Sequence, residues 1–186
     1  MKKNLIAALM FFAAIFTINA ADNTDKLIWQ SKDAGKNGAP NMTYWASKQF
    51  NGKKFVLAGQ GKDGGTVNGI EIAADSKDES ATLMVRLPAT HGKTYIIKVR
   101  AKAENPNEDS KIRLFAVAQS PKRSIGSLPR QLTAPIFHKY AEYELVAKVP
   151  GGVIWDQTTK LQFSFSTKDL KGGKIFFDDI RIFERP

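Results

Sequence analysis

The side chains best suited to work on a ligand are three tryptophans, Trp29, Trp45 and Trp155, together with cationic and amide groups spread along the chain. An indole face packs against the C–H face of a ring, and Arg, Asn, Gln and Asp reach hydroxyls, so the combination suits a ligand offering both, as a sugar does. Trp155 lies in VPGGVIWDQTTK, a Gly-rich polar stretch where no periodicity requires a buried aromatic, and it is a candidate platform. Tyr44 and Trp45 are adjacent in NMTYWASKQ. Successive side chains of an extended segment point to opposite faces, so one of the two is core and the other displayed. Trp29 follows Leu27 and Ile28 and reads as core. Lys98, Arg100, Arg113 and Gln162 fall on the polar phase of alternating segments. They form either a solvated sheet face whose charge discourages edge pairing, or a ligand face on which Arg forks take carboxylate or sulfate. Residues 120–130, SPKRSIGSLPR, add Lys122, Arg123 and Arg130 as a flank.

Catalytic constellations are sparse. Glu142 and Glu144 alternate on one strand face. Carboxylates about 5 to 9 Å apart hydrolyse glycosides, but exposed strand glutamates are the plainer reading. His138-Lys139-Tyr140 is the cluster closest to a polysaccharide lyase site. There is no GxSxG, HExxH or phosphate loop. The chain has no Cys, which excludes disulfides, thiolate zinc sites, iron–sulfur clusters and thiol nucleophiles.

The 186 residues hold 28 Lys+Arg against 18 Asp+Glu, a net charge of +10, with 42% hydrophobic and 10% aromatic residues. That composition is globular, and the length suits one domain. Lys2 and Lys3 precede an apolar run over 5–16 and then Thr17-Ile18-Asn19-Ala20-Ala21, the layout of a secretory leader cut after Ala20 or Ala21. The run is too short to span a bilayer, which takes about 20 residues. The expectation is a leader at 1–20 and one exported domain at 21–186, secreted or periplasmic, with no lipoprotein cysteine to tether it. The leader holds two lysines and no acid, so its removal takes the net charge to +8. Nucleic acid is then not an expected partner, and basicity bears instead on whether the ligand is anionic.

The elements that position these groups read as strands. Tyr95, Ile97, Val99, Ala101 and Ala103 alternate with Lys98, Arg100 and Lys102. Tyr143, Leu145, Ala147 and Val149 form a second inward set, and Leu161, Phe163 and Phe165 a third. Further strands are expected near 27–30, 55–60, 69–73, 82–87, 111–118, 132–137 and 175–183, separated by Gly- and Pro-rich turns. About ten short strands with frequent turns predict an all-β antiparallel sandwich. In the last strand Ile175 and Phe177 are out of phase with Ile180 and Ile182, which predicts a β-bulge at Asp178-Asp179. Those two acids are either exposed side chains or oxygens aimed at a cation such as Ca²⁺.

The closing segment GGKIFFDDIRIFE resembles the last strand of jelly-roll carbohydrate-binding modules of the family 4, 9, 16 and 22 type, members of the galactose-binding-like group. HGKTYIIKVRAKAE, KIRLFAVAQ, KYAEYELVAKVP and KLQFSFS resemble earlier strands in the expected order, so the resemblance spans 27–184. It implies a jelly-roll fold and a non-catalytic protein that binds a polysaccharide or glycan. It also implies a structural Ca²⁺ between the start of the domain and the closing strand, which falls here on Asp179 or Asp178 with Asp25 as an early partner. The ligand-binding residues expected are Trp155, Trp45, Tyr44, Arg100, Arg113, Lys98 and Gln162. The competing expectations are a cell-envelope sandwich that binds another protein, and a small polysaccharide lyase.

Overall fold

Period-two alternation with turn residues between the runs builds strands and almost nothing else. A computed structural model describes residues 24–31, 42–76 and 81–186; the expected leader lies outside them. The described strands are β1 (Lys26–Gln30), β2 (Met42–Ala46), β3 (Gly52–Leu57), β4 (Val67–Ile72), β5 (Ala81–Pro88), β6 (Thr94–Ala103), β7 (Lys111–Gln119), β8 (Ser124–Ser127), β9 (Leu132–Pro135), β10 (Ala141–Lys148), β11 (Lys160–Lys168) and β12 (Gly173–Arg185). They form two antiparallel sheets. The back sheet runs β10-β6-β12-β4-β3, with β1 on the far half of β12; the front sheet runs β2-β5-β11-β7-β8, with β9 also on β7. Among the described residues no helix is long and apolar enough to cross a membrane.

The inward sets expected from sequence are the core. Ile97, Val99, Ala101, Leu145, Ala147, Phe163 and Phe165 are all buried between the sheets. Aromatic rings bridge the two layers: Tyr95 of β6 lies 5.9 Å from Phe163 of β11, and Phe165 lies 6.0 Å from Phe177 of β12. Edge-to-face and tilted rings at this spacing add packing energy beyond their buried area.

The bulge is where the phase break placed it. Against β6, Asp178 pairs with Arg100 and Arg181 with Lys98, so Asp179 and Ile180 together oppose the single residue Val99. Asp179 takes φ +46°, which lets Phe177 and Ile180 both point into the core. Three strands differ from expectation, the first being β2, which falls outside the expected set and forms where Met42–Ala46 pairs with Val85–Ala81. β8 lies inside the stretch read as a basic loop; it has no apolar period and exists because Val117 and Ala118 pair with Ser127 and Gly126. β3 begins at Gly52, ahead of the expected 55, because Gly52–Leu57 pairs with Ile72–Val67.

Candidate functional site

Register decides which outward side chains become neighbours. On the outer face of the front sheet, one cross-strand row reads Trp45, Thr82, Ser166, Arg113. The next reads Thr43, Met84, Ser164, Phe115, and the third Arg86, Gln162, Val117. At about 4.8 Å per strand, the first row carries Trp45 and Arg113 roughly 14 Å apart. Thr82, Met84, Ser164 and Ser166 form a buried floor, and Trp45 rises beside it with 52% of its surface exposed. All of these but Ser166, together with Arg86, Phe115 and Gln162, line a depression of about 280 Å³.

The polar groups of this face hold one another in place. Arg86 Nε donates to Gln162 Oε1 at 3.1 Å, and Gln119 Nε2 donates to the same oxygen at 3.3 Å. The Gln162 amide is thereby oriented, with its Nε2 at 3.5 Å from Ser164 Oγ. The bond to Gln162 uses the Nε–H of Arg86, leaving the terminal nitrogens of its fork for a ligand. Arg113 donates to Gln131 Oε1 at 3.1 Å while its guanidinium stacks 4.9 Å from the Phe115 ring centroid, which fixes the plane it presents.

The acids, though not the cations, are segregated between the sheets, since the back-sheet strands also carry ten Lys and Arg. The six strands of the front sheet contain no Asp or Glu and five cations: Arg86, Lys111, Arg113, Lys160 and Lys168. The back sheet holds Glu71, Glu142, Glu144, Asp178, Asp179 and Glu184, and each except Glu142 is in an ion pair. A smaller pocket of about 120 Å³ on the back sheet is lined by Lys98, Arg100, Glu142, Glu144, Asp179 and Arg181. Its cations are engaged: Lys98 with Glu144 at 3.3 Å, Arg100 with Asp178 at 3.1 Å and Arg181 with Asp179 at 3.3 Å.

The sequence-expected site residues therefore divide. Trp45 and Gln162 line the same depression of the front face, and Arg113 lies on that face across the sheet from Trp45. Lys98 and Arg100 lie on β6 in the opposite sheet, where Glu144, Asp178 and the Tyr140 ring engage them, so they do not join the other cations. Tyr44 is the inward member of the Tyr44-Trp45 pair; its ring packs edge-on to Phe50 at 6.5 Å under the sheet, and burial raises its phenol pKa. Trp155 sits in a short helical turn, Trp155–Gln157, half-buried against the core and beside Gly126, where a Cβ would come within 4.0 Å of its ring. Part of its ring therefore packs on the core, in a loop too polar in sequence to suggest it. Sequence reasoning passed over Arg86 and Phe115. Both lie on the outward phase of their strands, and Phe115 in KIRLFAVAQ is a large aromatic on the polar phase, the one signal that was there to read.

The three acids expected at a Ca²⁺ site do not share one. Asp25 makes a two-point contact with Arg185, at 2.7 and 3.0 Å, which lowers its pKa. The pair lies beside the Lys26–Glu184 register, six residues and roughly 20 Å along β12 from Asp178. The buried Asp178 carboxylate accepts from the Lys62 backbone N–H at 3.0 and 3.2 Å and from Arg100. Asp179 is held by Lys62 Nζ at 3.4 Å and by Arg181. Ca²⁺ needs six to eight oxygens at 2.3–2.6 Å, whereas these oxygens face cations and N–H donors, so as arranged the set does not fit the ion.

No protein-family model and no curated protein sequence matches the chain. Solved structures do. The CBM22-1 xylan-binding domain of Paenibacillus barcinonensis Xyn10C superposes with a TM-score of 0.61 at 9% identity, covering 88% of this chain and 97% of that domain. The fold is a jelly roll. The CBM22-1–GH10 modules of Clostridium thermocellum xylanase 10B, complexed with xylohexaose, give 0.60 at 10% identity over 88% of this chain, which spans 29% of that protein. The Stig cyclase Fisc of Fischerella, in complex with an indole compound, gives 0.56 at 11% identity, covering 85% of this chain and 89% of that one. At such identities the likeness carries the jelly-roll fold, which one neighbour uses to bind a polysaccharide and another for catalysis.

Proposed function

We propose that this chain is an exported, non-catalytic binding protein for an acidic polysaccharide, held on the outer face of the front sheet. The observation that carries the reading is a face whose described strands hold no acid, where the displayed indole of Trp45 stands at one end of a row and the Arg113 fork at the other. Trp45 stacks on a pyranose ring, Arg86 and Arg113 pair with carboxylate or sulfate groups, and Gln162 and Ser164 bind hydroxyls. Outward side chains of the front-sheet strands include no Asp, Glu, His or Tyr among the described residues, so those strands offer neither the carboxylate pair of glycoside hydrolysis nor the His or Tyr of a lyase site. His138 and Tyr140, the lyase candidates, lie on the connection into β10, on the back sheet, where Tyr140 stacks against Arg100 and Lys102.

Affinity electrophoresis through gels containing polygalacturonate, alginate, a sulfated glycan or neutral xylan tests this. Retardation by acidic polymers that weakens with salt is expected. Trp45→Ala and Arg86→Gln/Arg113→Gln are each expected to lower the affinity about tenfold, or about 1.4 kcal/mol. Equal retardation by neutral xylan would remove the anionic part of the reading, and no retardation by any polymer would remove the whole of it.

A further inference from the structure

One feature of the fold takes no part in the front face. The connection from β10 to β11 ends in a tip at which Val153 is 82% and Ile154 63% exposed, the most exposed of the large apolar side chains described. Two adjacent aliphatic groups in water are a standing cost, and here the backbone is built to display them. Gly152 turns the chain at φ +112°, a region only glycine enters easily. Its N–H donates to Asp156 Oδ1 at 3.2 Å, and the Asp156 N–H donates to its carbonyl at 2.9 Å. Trp155 anchors the following turn on the core. The tip is therefore a fixed wedge.

Basic side chains ring the same end of the sandwich. Lys148 closes β10 opposite Thr94, Lys160 opens β11 between Pro88 and Gln119, and the turn with Lys122 and Arg123 follows Gln119 directly. All four are exposed and make no ion pair among the described residues. Among the described residues the acids at this end are engaged: Asp156 caps Gly152 and faces His91 at 3.8 Å, Glu184 accepts from Tyr95 and pairs with Lys93, and Asp25 pairs with Arg185.

We infer that this end docks on an anionic phospholipid surface, Val153 and Ile154 entering the acyl boundary while Lys122, Arg123, Lys148 and Lys160 meet lipid phosphates. Shape favours a bilayer over a protein partner. A stable protein interface buries about 800 Å² a side, far more than two side chains on a convex tip present, whereas a small apolar wedge within a basic ring suffices at a membrane surface.

The test is co-sedimentation of the full chain with vesicles of phosphatidylglycerol in phosphatidylcholine and with phosphatidylcholine alone. Binding to the anionic vesicles is expected, weakening as salt screens the phosphates. Val153→Ser/Ile154→Ser is expected to lower the partition about tenfold or more, while the melting temperature and polysaccharide retardation stay at wild-type values. Lys122→Glu/Lys148→Glu is expected to abolish the preference for phosphatidylglycerol. No sedimentation with anionic vesicles overturns the inference, and so does sedimentation that the tip variant leaves unchanged. Self-association in vesicle-free sedimentation velocity that the tip variant abolishes would also overturn it, by assigning the tip to a second copy of the chain. The inference is independent of the proposed glycan site, since polysaccharide retardation is read separately on the same variants.

Discussion

Replacing Asp178 with Ala tests how the back sheet neutralises its buried charge. The Asp178 side chain is 3% exposed and sits in the β12 bulge, accepting from the Lys62 N–H and from Arg100, whose side chain is 25% exposed. Gly61 lets the carboxylate approach that turn, since a Cβ there would lie 2.5 Å from Asp178 Oδ1. Truncation leaves the Lys62 N–H without its acceptor and Arg100 without its counter-charge. Hydrogen bonds to a charged group contribute about 1.5–3 kcal/mol each. Breaking a buried pair from one side costs about 3–5 kcal/mol, and water reaching Arg100 places this pair at the low end, about 3 kcal/mol. For a domain of this size that lowers the melting temperature by about 6–12 °C. Asp178→Asn keeps the volume and an acceptor for the Lys62 N–H, so roughly half the loss is expected. Urea unfolding of both variants, with Arg100→Ala and the double variant to complete a cycle, gives the coupling directly. EDTA is expected to leave the wild-type midpoint in place, because protein cations and an amide occupy the carboxylate. A loss below about 1 kcal/mol would refute the reasoning. A wild-type midpoint that falls in EDTA and recovers with Ca²⁺, but not in Asp178→Ala, would refute it as decisively and restore the metal.

All four tyrosines have pKa values raised, chiefly by burial, and Tyr95 is pushed up to about 12. The native state therefore keeps protons that the unfolded chain releases near 10, so stability is expected to fall as pH rises from 10 and level off near 12. Phenolate absorbance should show no tyrosine ionising at its ordinary value while near-ultraviolet circular dichroism is still native; one that does contradicts the packing. The hydrogen bonds that Arg185 donates hold the Asp25 carboxyl below its ordinary value of 3.8. Its contribution is present above 3.8 and lost as pH falls through the lower native value, and Arg185→Gln should return the Asp25 carboxyl shift to its ordinary titration in NMR. Gly61→Ala drives a methyl into the Asp178 carboxylate and against the Gly65 backbone at 2.9 and 3.0 Å, so only part of its destabilisation in urea should disappear when it is combined with Asp178→Ala.

Much of the architecture was legible in short windows. Strand geometry has a period of two, so the inward residues of β6, β10 and β11 could be read from one chain segment each, and a single out-of-phase step located the Asp178-Asp179 bulge. The same rule required Tyr44 and Trp45 to face opposite ways, although it did not say which one faced inward; packing of Tyr44 against Phe50 decided that. The rest of the site was not legible. The polarity of its own loop makes Trp155 read as displayed, but the apolar surface it covers belongs to β8 and the core, remote in sequence.

By itself the sequence determined that the elements are strands, which side of most of them is apolar, the bulge and a layout that reads as a leader, because those follow from residue type and nearest neighbours along the chain. Tertiary structure alone decided which polar sides share a surface. Lys98 and Arg113 have the same local pattern, yet β6 and β7 run in different sheets, so one meets Glu144 across the back and the other joins Trp45 and Gln162 across the front. Alternation separates inside from outside; only the strand order, set by contacts far apart in sequence, places an outside residue on one sheet or the other.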